Sequence, residues 1–240
     1  MGTFNVYEDA RRAESYSRLE FPGTYFLAYR DLPDLIAGNV QGRRALDFGC
    51  GAGRSTRFLG RLGFQTVGVD ISPEMIRMAR SIDPGGDYRL IGEGDLGDFE
   101  EGSMDLILSA FTFDNIPSAQ RKLKCLEGLR DRLDRKGKFL NLVSTPDIYR
   151  HEWASFSTQD FPENRGARTG DRVRIVMKDV DDQRPVEDVI WYEEDYGKLY
   201  ASAGMRMVEL HKPLAREDEP FAWVNETRIA PWAIYVLERL

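Results

Sequence analysis

The sequence predicts an α/β protein: a seven-stranded, mostly parallel twisted sheet with helices on both faces, a helical N-terminal lid, and a β-hairpin cap inserted after the fifth strand. Three observations predict it. Short apolar runs alternate with helix-length amphipathic segments from 44 to 144, the pattern of parallel strands joined by right-handed crossovers. That alternation stops over 145–192 and then resumes. Its first turn carries glycines at 49, 51 and 53, which let a backbone bend sharply and approach a ligand closely. The chain therefore divides into a lid over 1–40, a core over 41–144 and 193–240, and a cap over 145–192.

Residues 7–38 read as helical with breaks, and Phe21-Pro-Gly-Thr24 is a stop followed by a capped restart. Tyr16, Tyr25, Phe26 and Tyr29 make this region aromatic, as either a layer packed on the sheet or a lid over a site. Strands are expected at 44–48, 65–70, 87–91, 104–109 and 137–144, with helices at 54–62, 73–82 and 118–133. Ser72-Pro-Glu-Met supplies an N-cap with proline in the first turn, which fixes where the second of these helices starts. The stretch 145–170 is turn-rich and aromatic, with His151, Trp153, Phe156 and Phe161. Val173 to Met177 and Val186 to Trp191 then read as two strands around the acidic turn Lys178 to Arg184. A helix at 193–203 with Gly204 as its cap, and strands at 206–211 and 232–238, complete the core.

The 240 residues, 42% hydrophobic and 30% charged, suit one large globular domain. A net charge of -7 disfavours a polyanionic partner, so no nucleic acid is expected. Two cysteines argue against a disulfide framework, and no apolar stretch reaches bilayer length. The N-terminus also lacks a signal-peptide pattern, so the expectation is a cytoplasmic protein without a membrane partner.

Arg44-Ala-Leu-Asp-Phe-Gly-Cys-Gly-Ala-Gly-Arg54 and Gln65-Thr-Val-Gly-Val-Asp70 read as strand, glycine turn, helix, and a second strand ending in an acid. That is a nucleoside-binding unit. Its spacing is Gly-x-Gly-x-Gly rather than the dinucleotide Gly-x-Gly-x-x-Gly, and Asp47 would repel a pyrophosphate but suit an ammonium. Asp47-Phe-Gly-Cys-Gly-Ala-Gly resembles the first motif of class I S-adenosylmethionine (SAM)-dependent methyltransferases, and Val67-Gly-Val-Asp70-Ile-Ser resembles their second. The resemblance covers about 40–145 and 193–240, with the motifs in 44–115, and is to small bacterial enzymes of quinone and natural-product pathways.

The resemblance implies SAM as cofactor and S-adenosylhomocysteine as product. It places Asp47 at the methionine ammonium and Gly49, Cys50 and Gly51 along the cofactor, with Asp70 on both ribose hydroxyls. Ile71 and Met75 would flank the adenine, and Gly94, Asp95 and Leu96 would meet its edge. Glu93, Asp95 and Asp98 all offer a carboxylate there; Asp95 fits the family's acidic residue, and because Glu93-Gly94 departs from the family pattern the register stays open. Ser109 and Ala110 would line the methionine arm.

Methyl transfer from SAM chiefly requires alignment and exclusion of water, with a base only where the acceptor must lose a proton. His151, beside Glu152, and Tyr16 are the candidate catalytic side chains; His211 falls at a strand end. Asp114 and Asn115, after the fourth strand, would touch the acceptor or else cap the next helix. Tyr25, Trp153, Trp191 and Trp223 suggest a pocket for a flat or apolar small molecule. No metal is expected, because Asp179-Val-Asp-Asp182 reads as a solvated turn. The cap is expected to hold the acceptor, or alternatively to be an edge hairpin or a dimerisation arm, the last of which would make the protein a homodimer. The acceptor atom, O, N or C, stays open, as do a protein or nucleic-acid methylase and a non-catalytic SAM-binding module.

Overall fold

The computed structural model describes residues 22–240. Two short helices, α1 (Thr24–Arg30) and α2 (Leu32–Asn39), precede the sheet. The alternating core follows as β1 (Arg44–Phe48), α3 (Arg54–Arg61), β2 (Gln65–Asp70), α4 (Pro73–Ile82), β3 (Asp87–Leu90) and β4 (Met104–Ala110). After β4 come α5 (Thr112–Asn115), α6 (Ala119–Arg132) and β5 (Leu133–Ser144). The inserted segment holds β6 (Phe156–Ser157), β7 (Arg172–Met177) and β8 (Val186–Val189), and α7 (Glu193–Ser202), β9 (Met205–His211) and β10 (Trp232–Arg239) end the chain.

Seven strands form one sheet in the order β3-β2-β1-β4-β5-β10-β9. The first five are parallel, whereas β10 runs antiparallel to both β5 and β9. Trp232 pairs with Ser144, so the reversed strand begins where the parallel ones end. Side chains alternate between faces, as a sheet covered on both sides requires. Leu140, Leu142, Ile234 and Val236 join a core shared with α1, α2 and the inserted segment. Phe139, Val143, Tyr235 and Leu237 join the other, against α6 and α7.

Local chemistry sets the boundaries. The Ser72 hydroxyl accepts from the Met75 amide at 3.3 Å, and Pro73 follows it at the start of α4. Ser118 caps α6 in the same way through the Arg121 amide. The expected elements stand within a few residues of their observed bounds, the largest shift being β5, which starts at Leu133 rather than 137. A register shift between Met104 and Leu106 accommodates that early start.

The inserted segment is more than the expected hairpin. β6 pairs with β7, giving a three-stranded sheet β6-β7-β8, and 3₁₀ turns stand at Pro146–Tyr149 and Pro162–Gly166. Glu226, fully buried, fastens this segment to the rest of the chain. Its carboxylate accepts from Thr24 Oγ1 and the Ala154 amide, both at 2.7 Å, and from the Val224 and Asn225 amides at 2.8 and 3.0 Å. Among the described residues, no helix is long and apolar enough to cross a membrane.

Candidate active site

Glycine makes the first turn possible. Gly49, Gly51 and Gly53 have φ of 76°, 52° and 84°, in the left-handed region that side chains disfavour. The Gly49 and Cys50 amides both donate to the Val69 carbonyl, at 2.8 and 2.9 Å, which ties the turn to β2. A Cβ on Gly49 would lie 2.1 Å from Thr112 Oγ1, so packing excludes one there. At Gly51 nothing lies within 4 Å of such a Cβ: that face of the turn is open for a ligand.

Asp70 closes the far side of the turn. Gly51 N donates to its Oδ2 at 2.9 Å and Ser72 N to its Oδ1 at 2.8 Å, so both oxygens are oriented while each keeps a lone pair for a diol. Burial raises its pKa, and the Ser72, Gly51 and Ile71 amides oppose that shift. Asp47 lies behind the turn, fully buried, and its Oδ2 accepts from Ser55 Oγ at 2.7 Å and Thr56 Oγ1 at 2.6 Å. Asp47 Oδ1 has no partner. Desolvation pushes the Asp47 pKa up to about 6, against the lowering effect of the two hydroxyls.

A cavity of about 360 Å³ opens in front of this turn. Gly49, Cys50, Gly51, Asp70, Ile71 and Met75 line one end, with Glu93 and Gly94 beyond them and Arg54 beside them. At the other end stand Ala110, Phe111, Asp114 and Asn115, roofed by Tyr149, Phe156, Met177 and Asp188 of the inserted segment. Tyr25 and Trp232 complete that wall, their rings stacked at 5.8 Å. Trp232 and Phe156 also meet edge to face, at 5.7 Å.

Several expected site residues lie elsewhere, each for a physical reason. Asp95 is exposed and spends Oδ1 on the Gly97 amide at 3.1 Å, while Glu93 takes the place on the wall and meets Arg121 at 3.4 Å. Leu96 is buried in the core, and Ser109 is fully buried with its hydroxyl unpartnered, so neither lines the cavity. His151 is off the wall, its ring centroid 6.3 Å from that of Trp153 in an edge-to-face contact, which corrects its assignment as base.

The three tryptophans expected at the acceptor are corrected too. Trp153 is fully buried with its indole on the Ile148 carbonyl at 2.8 Å. Trp191 covers the Lys122 ammonium at 5.0 Å, and Trp223 donates to the Arg216 carbonyl at 3.1 Å. Trp232, Phe111, Tyr149 and Asp188 form the wall in their stead, and Tyr16 lies outside the described residues. His211 meets Asp31 at 2.7 Å, away from the cavity. Cys50 and Cys125 are buried free thiols, both raised in pKa by desolvation.

A glycine turn on β1, an oriented carboxylate ending β2 and a cavity at the carboxyl ends of the parallel strands define a class I, Rossmann-like fold. Residues 46–140 match the family described as the methyltransferase domain. Ubiquinone biosynthesis O-methyltransferase of Xanthomonas euvesicatoria is 35% identical over 82 residues, which are 32% of this chain and 34% of that protein. The chain thus aligns with about a third of the length of such relatives.

Two solved structures share the fold over nearly the whole chain. A SAM-dependent methyltransferase of Clostridium acetobutylicum gives a TM-score of 0.64 at 15% identity, covering 98% of this chain and 96% of its own. A Haloferax volcanii methyltransferase, solved in complex with the Trm112 methyltransferase activator, gives 0.65 at 16% identity, covering 100% and 98%. SAM is the cofactor of this class, and the residues present fit it. The open face of Gly51 and the two oriented oxygens of Asp70 answer its backbone approach and ribose diol, while Asp47, with Oδ1 unpartnered, stands one layer behind the cavity wall.

Proposed function

We propose that this protein transfers the methyl group of SAM to a small organic acceptor bound between Trp232 and the inserted segment. The observation that carries the reading is that one cavity runs from the glycine turn and Asp70 to the apolar wall of Tyr25, Phe111, Phe156 and Trp232. Its size falls within the range of small-molecule sites. SAM supplies an activated methyl on sulfonium, which needs no further activation by the protein.

What remains for this chain is to bind, orient and exclude water. Asp70 would hold the ribose, Ile71 and Met75 would flank the adenine, and Gly94 would approach its edge. Arg54, at the turn end of the cavity, suits the amino-acid carboxylate, and Asp47 Oδ1 suits its ammonium directly or through a water. Fixing the acceptor in line with the methyl and sulfur is worth roughly 7 kcal/mol or more of barrier. The aromatic wall and the roof of 145–192 would supply that fixation in a site closed to bulk water.

The net charge of -7 supports an acceptor other than a polyanion. The test is incubation with methyl-labelled SAM and fractionated host metabolites, followed by mass spectrometry. A labelled small-molecule product is expected. Label found only in protein or RNA, or none despite SAM binding, would overturn the reading.

A further inference from the structure

Asp114 is a buried carboxyl at the acceptor end that forms no ion pair among the described residues. It is 4% exposed, on α5, and it lines the cavity. The Ser144 amide donates to its Oδ2 at 3.0 Å and the Ser144 side chain adds a second hydrogen bond. Among the described residues, no Lys, Arg or His nitrogen lies within 4.0 Å of the carboxylate.

The charged groups that face it are Asp188, from β8, and Lys122, from α6. Asp188 repels it, and Lys122 is turned elsewhere. The Lys122 ammonium donates to the Phe113 carbonyl and lies over the rings of Trp191 and Tyr196 at 5.0 and 5.7 Å. The Tyr149 and Tyr196 phenols also sense Asp114, and both are held protonated by burial. Burial first, and Asp188 second, push the Asp114 carboxyl well above the usual carboxylate range.

A buried carboxylate that no cation of the described residues contacts, at the end of a cavity with an aromatic wall, is complementary to a cation on an apolar body. On the methyl-transfer reading above, we propose that the acceptor is an amine, entering as its ammonium ion, held by Asp114 and deprotonated by it. An N–H bond of the ammonium breaks and its proton passes to an Asp114 oxygen. The freed lone pair forms the new N–C bond as the methyl–sulfur bond breaks, and that bonding pair stays on sulfur. A neutral hydroxyl brings no charge to ionise Asp114; an ammonium does so on arrival.

Calorimetry on the protein loaded with S-adenosylhomocysteine tests this with 2-phenylethylamine and 2-phenylethanol, twins that differ in the head group. The amine is expected to bind about tenfold tighter or more at neutral pH, with proton release read from buffers of different ionisation enthalpy. Asp114→Asn abolishes both the preference and the proton release while homocysteine-nucleoside binding persists, which shows that the variant is folded. Asp188→Asn, a second variant, weakens the preference without erasing it. Equal affinities, no binding of either probe, or a preference that survives Asp114→Asn overturns the proposal. Failure of the wild type to bind S-adenosylhomocysteine would instead overturn the methyl-transfer reading, and the twins compared on unloaded protein would still decide the amine question.

Discussion

Thr24 Oγ1 donates to Glu226 Oε1 at 2.7 Å across 202 residues of sequence, and the same carboxylate oxygen takes the Ala154 amide. One buried side chain thereby joins α1, the start of the inserted segment and the loop before β10. Glu226→Ala would strand four donors at once, which is expected to lower stability by about 3–5 kcal/mol. Denaturant unfolding checks it; a loss below about 1 kcal/mol would show that water replaces the carboxylate.

Asp70→Ala is expected to weaken SAM binding about tenfold or more, because two ribose hydroxyls lose their acceptor and the Gly51 and Ser72 amides lose their anchor. Calorimetric titration reads the change. Unaltered affinity would remove Asp70 from the nucleoside site.

Asp47 links stability to pH. Its pKa rises on folding from 3.8 to about 6, so between those values the folded chain holds the extra proton. Its contribution is therefore complete below pH 3.8 and is lost as pH climbs through about 6, a loss of about 3 kcal/mol in the protein without SAM. Asp47→Asn should flatten this part of the stability profile and raise the melting temperature at pH 7.5, while weakening SAM binding through loss of the ammonium partner. Thermal melts across pH 4–8, paired with SAM titration, separate the two effects.

The two central glycines should respond differently. Gly51→Ala meets no atom within 4 Å, so it costs only the backbone penalty of about 1–2 kcal/mol, yet it fills the open face and should weaken SAM binding strongly. Gly49→Ala collides with Thr112 and should disrupt the fold itself. Circular dichroism and SAM titration of both variants provide the comparison.

At the acceptor end, Trp232→Ala should cut turnover about tenfold or more, whereas His151→Ala should leave it within about threefold. Both rates are measured with the acceptor that the metabolite experiment identifies. A greater loss at His151 would restore it as a catalytic group.

The strands, their order of appearance and the cofactor motif could be read because they are local. Period, caps and glycine spacing sit within a few neighbouring residues, as Ser72 shows by fixing the start of α4 through a bond three residues away. What escaped depends on distant partners or on side-chain direction. Trp232 reaches the cavity through pairing with Ser144, 88 positions earlier, and nothing near residue 232 announces that register. Trp153 and Trp191 gave the right composition for an aromatic pocket, but their rings point into the packing behind it. Asp95 missed by one local turn: its amide bonds to the Gly92 carbonyl, which swings its side chain outward and leaves Glu93 on the wall.

The reversal of β10 means that the two ends of the crevice are encoded in separate stretches of the chain. Residues 48–94 build the turn end, while the opposite end draws on 110–115, 149–188 and 232, with Tyr25 added from the start of the chain. On the proposed reading, substitutions at the far end could retune the acceptor without disturbing the turn, and a chimera that exchanges 145–192 between relatives is expected to change the acceptor while keeping the cofactor.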